Sequence, residues 1–141
     1  MSVEKKLKML ADGHFTGWSW VFDDWKSVDR ALAKMDVPAI LCIMPTTGTM
    51  TFRRGRVWDS PNCLLAFVDK VTRDANGEDN EAVYTRMKHE AMRFVGAMNK
   101  SGMFEPIDGD VPYDTFVEGT ANILTGVMLS LAIKEVESVC L

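Results

Sequence analysis

The chain has 141 residues, of which 47% are hydrophobic and 26% are charged, a balance typical of one folded domain and not of a disordered chain. A formal net charge of −4 argues against a protein that coats nucleic acid in general, but it leaves room for a local basic patch. The longest apolar run, residues 37–44, is far shorter than the about 20 residues that a membrane span needs. We therefore expect one soluble domain over residues 1–141, with no membrane association.

The first part of the chain predicts a helix, a strand and a second helix. Residues 2–11 have a helical apolar face, and Ser2 is suited to cap the helix. Residues 17–25 are rich in aromatic side chains, whose alternation with smaller residues predicts a strand with one bulky face. Residues 28–35 predict the second helix, which Pro38 ends.

The middle of the chain predicts two strands with a projecting hairpin between them. Residues 38–44 are almost continuously apolar, as in a central strand that is covered on both faces. Residues 46–48 are expected to break this strand. Residues 49–58 are polar and basic and predict a hairpin around Arg54 and Gly55. Residues 62–71 return as a strand in which both faces carry apolar side chains.

The helix over residues 81–100 has the strongest pattern in the chain. Its apolar residues recur at i, i+3 and i+4, we expect Asp79 or Asn80 to cap it, and Gly102 is suited to end it. The predicted buried stripe consists of Val83, Met87, Ala91, Phe94, Val95 and Met98.

The last part of the chain predicts strands over residues 111–118 and 123–136, joined by a turn over residues 119–122. Gly126 indicates a bulge or a close approach of two backbones within the second strand. The element order is therefore α-β-α-β-β-α-β-β. Tight connections between neighbouring strands favour an α+β fold, with a mostly antiparallel sheet of four to five strands and two or three helices packed on one face.

No pattern indicates a catalytic, cofactor or metal site. The three cysteines, Cys42, Cys63 and Cys140, form neither a CxxC pair nor a Cys–His cluster, and we expect free thiols. His14 and His89 have no nucleophile or metal ligand at a recognised spacing, and no glycine-rich phosphate-binding motif occurs. We therefore predict that the protein is not an enzyme.

A cluster of basic residues is the first candidate for an interaction surface. Arg53, Arg54 and Arg56, followed by Trp58, place three of the sixteen cations within four residues of the predicted hairpin. Such a cluster is suited to contact nucleic acid or an acidic protein surface. A solvated turn that keeps a sheet edge from aggregating is the other interpretation.

The tryptophans are the second candidate. Trp18, Trp20 and Trp25 crowd one predicted strand, and a domain of this size has little room for three buried indoles. Because aromatic side chains are enriched in protein interfaces, we expect at least one of them to contact a partner. Ordinary filling of the core is the alternative.

The order and character of these elements resemble the tail terminator (tail completion) and neck proteins of long-tailed bacteriophages, including prophages. The resemblance rests on VPAI at residues 37–40, the hairpin that returns through residues 64–71, the amphipathic helix, and LTGV at residues 124–127. It implies a virion component without enzymatic activity, which assembles as a ring, typically a hexamer. Such rings cap the tail tube and join it to the head connector.

The resemblance also implies a place for the basic hairpin, at the lumen of the ring or at the face toward the tail tube. There Arg53, Arg54 and Arg56 would meet DNA or an acidic partner ring; acidic lumens are common in these proteins, so both positions stay open. The implied partners are copies of the chain, the tail tube protein and the head–tail connector. The implied location is the virion, after assembly in the host cytoplasm. The alternative is a small cytoplasmic α+β domain that binds a ligand or a protein, with an unrecognised activity.

Overall fold

A computed structural model describes residues 2–23, 36–71, 76–117 and 124–141. Within these ranges the chain forms two helices and six strands. They are α1 (Val3–His14), β1 (Ser19–Asp23), β2 (Ala39–Arg53), β3 (Arg56–Lys70), α2 (Gly77–Lys100), β4 (Tyr113–Val117), β5 (Leu124–Ala132) and β6 (Val139–Cys140). The helix predicted over residues 28–35, the turn predicted over residues 119–122, and Trp25 lie outside the described residues.

The six strands belong to one mostly antiparallel sheet. Strands β1, β2, β3, β5 and β4 are neighbours in that order, and β6 pairs with β3. Only the β1–β2 pair among them is parallel. The predicted α+β fold is therefore confirmed, with slightly more strands than the predicted four to five. The additional strand, β6, is two residues long, too short for a periodic pattern to reveal it.

Both described helices pack on the same face of the sheet and enclose the larger of two cores. From α1, Leu7 and Leu10 enter this core, and α2 contributes most of its predicted stripe. The sheet residues beneath the helices include Cys63, Leu65 and Phe67. The other face of the sheet carries a smaller buried cluster that consists of Ala39, Leu41, Ile43, Ala66, Val68 and Leu124. Neither described helix is both long and apolar enough to cross a membrane.

The first residue of each described helix is set by a capping hydrogen bond and not by the apolar pattern. Ser2 caps α1 as predicted and accepts a hydrogen bond from the Lys5 N–H at 3.2 Å. The prediction that Asp79 or Asn80 caps α2 was wrong. Asn76 is the cap, because its side chain accepts from the Asp79 N–H at 2.9 Å while the Asp79 carboxylate accepts from the Asn76 N–H at 3.1 Å. This reciprocal pair starts the helix four residues earlier than predicted.

Of the two described C-terminal helix ends, one differs from the prediction and one agrees with it. Helix α1 continues to His14, where the Phe15 N–H donates to the Ala11 carbonyl at 2.8 Å, so the predicted end at residue 11 is three residues too early. Beyond α2, Gly102 adopts the left-handed conformation with φ of 74° and ends the helix as predicted.

Several strand bounds differ from the predictions, and two of the differences bear on the arrangement of the sheet. Residues 46–48 do not break β2, which continues to Arg53, and an irregularity between Ile43 and Thr47 absorbs the extra residues. Strand β5 ends at Ala132 and not at residue 136. Beyond it the chain pairs with residues 103–105, where the Glu105 N–H donates to the Lys134 carbonyl at 2.8 Å.

Candidate functional site

The paired ends of β2 and β3 extend beyond the rest of the sheet as a ribbon. Over the described residues, strand β1 pairs with β2 as far as Ile43, and β5 pairs with β3 from Asn62 onward. Residues 47–53 and 56–61 therefore form a projecting hairpin, whose end is joined by β6. Arg54 and Gly55 make a two-residue turn, with φ of 51° and 74°, as in the tight turns that match strand twist. The hairpin is in the predicted place, and its turn is at the predicted residues.

One face of this ribbon is apolar and open to solvent. Phe52 pairs with Val57, and Val57 pairs with Val139 of β6, so the three side chains lie side by side on one face. Met50 shares this face because it lies two residues before Phe52, and the exposed Asp59, which pairs with Met50, lies beside it. Met50, Phe52 and Val139 are 66%, 65% and 68% exposed. We call Met50, Phe52, Val57 and Val139 the apolar face of the hairpin. A contiguous apolar patch of this kind marks an interaction surface.

The opposite face of the ribbon carries positive charge. Arg53 and Arg56 lie directly opposite each other, next to the pair of Thr51 and Trp58, and Arg54 is at the turn. Like charges placed opposite each other repel. In the described part of the chain, no ion pair joins any of these three arginines to a carboxylate. Their positive charge is therefore not offset by a direct ion pair within this part of the chain.

The three arginines do not have equal freedom. The Arg56 guanidinium donates from Nε to the Ser138 hydroxyl and from Nη2 to the Ser138 carbonyl at 3.3 Å. These bonds tie the segment before β6 to the hairpin. Arg53 and Arg54 are exposed, and Arg53 lines a small groove with Trp58, Glu105 and Glu135. Arg53 and Arg54 are therefore the pair best placed to meet a partner.

The predicted tryptophans divide between two places. Trp58 is half-buried on the basic face of the hairpin, so the structure brings it together with the predicted arginines. Trp18 and Trp20 are half-buried against the main core near α1 instead. Trp18 packs edge-on against Phe15 at 5.1 Å between ring centroids, and the Trp20 indole N–H donates to Glu4 at 3.2 Å. Their interface role stays a prediction, separate from the hairpin.

A second apolar surface, which the sequence analysis missed, lies between α2 and β4. This α2–β4 groove has a volume of about 370 Å³. Its walls are formed by Ala91, Met92, Val95, Val111, Tyr113 and Leu129. Met92 is 59% exposed, and it lies outside the predicted buried stripe of the helix. In the sequence, the one sign of this groove is Met92, a large apolar side chain on the polar side of the helix. Only the tertiary structure places Met92 opposite Tyr113.

The rim of the α2–β4 groove is built from one cation and one phenol. Lys88 Nζ donates to the Tyr113 hydroxyl at 3.2 Å and lies 4.7 Å from the centroid of the Tyr113 ring. Beyond Val111, the groove borders a second depression, whose lining includes Lys134 and the exposed acids Asp108 and Asp110; we call these two acids the acidic stretch. Residues 101–117 contain no lysine or arginine. One edge of the groove is therefore negatively charged.

The described cysteines and histidines do not form a cluster with other possible metal ligands. Burial raises the pKa of the Cys42 thiol to about 12, with a further increase from the nearby Cys63, and burial together with Asp59 raises the pKa of Cys63 to about 11. Cys140, His14 and His89 are exposed. Over the described ranges, no group of three histidine, cysteine or acidic residues is arranged to hold a metal ion.

The sequence matches no family model, and no curated protein matches it. The function must therefore be argued from the two surfaces themselves.

Proposed function

We propose that this chain is a structural subunit of a long-tailed phage or prophage, which forms a ring that terminates the tail tube and joins it to the head connector. In this proposal it works without catalysis, in the virion, after assembly in the bacterial cytoplasm. The observation that carries the proposal is the projecting hairpin, whose apolar face is about two-thirds exposed at Met50, Phe52 and Val139. The other supports are the α+β fold and the resemblance in element order.

The exposed face gives the ring its driving force. Covering a large apolar side chain contributes about 1.5–3 kcal/mol, and the hairpin offers several that the described part of the chain leaves open. In a ring every subunit makes two contacts, one through each of two different surfaces, and closure leaves no free end. Because closure makes the last contact intramolecular, a modest affinity per contact is enough for a stable ring.

The basic tip gives the ring a second contact. Arg53 and Arg54 are exposed beside the turn, with no ion pair to a carboxylate of the described residues. In a ring that holds a DNA end and adjoins a tail tube, both neighbours present anionic groups. A hairpin at the lumen would meet phosphates, and a hairpin at the tube face would meet acidic side chains.

The test of the proposal is the assembly state of the purified protein. Negative-stain images and sedimentation are expected to show closed rings, or rings that appear when tail tubes are added. A protein that stays monomeric at about 50 μM, where a contact with a micromolar Kd is almost saturated, and that also fails to bind tail tubes, would contradict the proposal.

A triple substitution tests the basic tip separately. Arg53→Ser, Arg54→Ser and Arg56→Ser together are expected to leave the circular-dichroism spectrum unchanged but to lower particle yield or DNA retention, because the tip loses three charges. A second variant with only Arg53→Ser and Arg54→Ser keeps the Arg56–Ser138 contact that holds β6.

The matched control removes three charges from exposed lysines elsewhere, as Lys5→Gln, Lys8→Gln and Lys100→Gln. It is expected to assemble normally. Equal particle yields from the control and both arginine variants would contradict the proposed role of the basic tip in assembly.

A further inference from the structure

The apolar face of the hairpin and the α2–β4 groove are too far apart to meet within one molecule. Leu129, in the wall of the groove, pairs with Leu65 of β3, and Val57 lies eight residues farther along the same strand. At about 3.3 Å per strand residue, this separation is roughly 26 Å. If the hairpin covers the groove, the hairpin and the groove must therefore belong to two different molecules.

The two surfaces match in chemistry as well as in apolar character. The hairpin tip holds Arg53 and Arg54, and the groove borders the acidic stretch of Asp108 and Asp110. Among the described residues the groove wall has one cation, Lys88, whose ammonium group is held at the rim by the hydroxyl and the ring of Tyr113. An apolar knob beside positive charge is thus complementary to an apolar groove beside negative charge.

We propose that the hairpin of one copy docks in the α2–β4 groove of a second copy, with Phe52 as the apolar anchor. Arg54, at the turn, then faces the acidic stretch of that second copy, and Arg53 flanks this contact from the opposite face of the ribbon. The two surfaces are different parts of the same chain, so the contact is head-to-tail and repeats from copy to copy. The inference rests on the proposed function, since it names the seam of the proposed ring, but it is tested by self-association alone.

Two substitutions of exposed side chains disable one surface each. Phe52→Glu removes the anchor, and Met92→Glu places a charge in the groove at an exposed helix position, where glutamate is well tolerated. Each variant alone is expected to weaken self-association by roughly 30-fold or more, as for the loss of an interface anchor. Met9→Glu is the matched control, because Met9 is 51% exposed on the other helix. It is expected to associate like the unchanged protein.

Mixing the two variants gives a signature that only a head-to-tail contact produces. The Met92→Glu chain keeps an intact hairpin, and the Phe52→Glu chain keeps an intact groove. A 1:1 mixture is therefore expected to form dimers of one chain of each kind and to stop there, since the remaining surfaces are disabled. Native mass spectrometry distinguishes these mixed dimers from monomers and from larger assemblies.

Charge reversal tests the orientation of the docked hairpin. Arg53→Glu with Arg54→Glu, or Asp108→Lys with Asp110→Lys, is expected to weaken association at low ionic strength. All four changes in one chain are expected to restore it. If the tip reversal abolishes DNA binding and leaves self-association unchanged, the arginines serve DNA and the proposed orientation is wrong.

The outcomes for the seam and for the function are separable. Rings that persist in both Phe52→Glu and Met92→Glu overturn the seam but leave the ring proposal standing. A mixture that stays monomeric overturns the seam as well. Unchanged protein that is monomeric at about 100 μM also overturns the seam, and binding to tail tubes then decides the function independently.

Discussion

At the scale of single residues, Gly126 shows how closely two strands of this sheet approach. A Cβ atom at this position would overlap the carbonyl oxygen of Phe67 and lie 2.9 Å from its carbonyl carbon. These are backbone atoms of the adjacent strand β3, and they cannot rotate away. The pairing of Gly126 with Val68 is regular, so the close approach predicted from the sequence is confirmed, without a bulge.

Gly126→Ala is therefore expected to lower the free energy of unfolding by about 3 kcal/mol, since the strands must separate to admit a methyl group. The control is Gly96→Ala in α2, where a Cβ meets nothing within 4 Å. It is expected to raise the free energy of unfolding by about 0.5–1 kcal/mol through helix propensity. Urea unfolding followed by circular dichroism measures both. Similar effects of the two substitutions would contradict the packing at Gly126.

The two buried thiols predict how stability responds to alkaline pH. The pKa of Cys42 is raised from 9.0 to about 12 and that of Cys63 to about 11 in the folded chain. Above pH 9 the unfolded chain therefore releases thiol protons that the folded chain keeps. The free energy of unfolding is expected to fall as pH rises from about 9 toward 11.

The measurement is urea unfolding at about pH 8 and about pH 10. A variant with Cys42→Ala and Cys63→Ala is less stable at both pH values but is expected to lose less stability between them. Cys140 is exposed and serves as the internal control, since it is expected to react with a thiol reagent in the folded protein. Parallel declines in the two proteins would contradict the assignment to these thiols.

At the scale of elements, the attachment of α1 depends on one buried ion pair. Lys6 Nζ lies 2.8 Å from Glu135 Oε1, and the two side chains are only 8% and 16% exposed. This bond joins α1 to the segment that follows β5. Lys6→Ala leaves the Glu135 carboxylate without its cation and is expected to cost about 3 kcal/mol of unfolding free energy.

The control for this pair is Lys8→Ala on the same helix. Lys8 is 53% exposed and lies 3.9 Å from Asp12, so its loss is expected to cost less than about 0.5 kcal/mol. Replacing Lys6 and Glu135 together with Met is expected to recover much of the stability, because no buried charge is left alone. Thermal unfolding compares all four proteins. A double variant no more stable than Lys6→Ala would show that the pair acts in another way.

At the scale of the whole molecule, the fold separates its surfaces by position in the sheet. The helices cover the central strands and enclose the main core, while the ends of β2 and β3 pass beyond that cover. The hairpin is thus held by a rigid, well-packed base. The α2–β4 groove lies at one edge of the sheet, beside β4, which is the outermost strand on that side. Two complementary surfaces that cannot meet in one molecule favour assembly in one direction, which is what a ring needs.

The sequence alone determined which segments form the central strands, and which side chains face the main core. The residues over 38–44 and 62–71 predict strands with two apolar faces, and the structure buries both faces. The hairpin at Arg54 and Gly55 was also predicted, because its turn chemistry is local. Periodicity and turns depend on neighbours along the chain, so a single sequence is sufficient to reveal them.

The tertiary structure alone decided the rest. The pairing of β6 with β3 joins residues about eighty positions apart. The α2–β4 groove exists because Met92 and Tyr113 come from different elements. The exposure of Phe52 likewise depends on where the neighbouring strands end. These features depend on contacts between residues that are far apart in the chain, and a pattern of neighbouring residues cannot reveal such contacts.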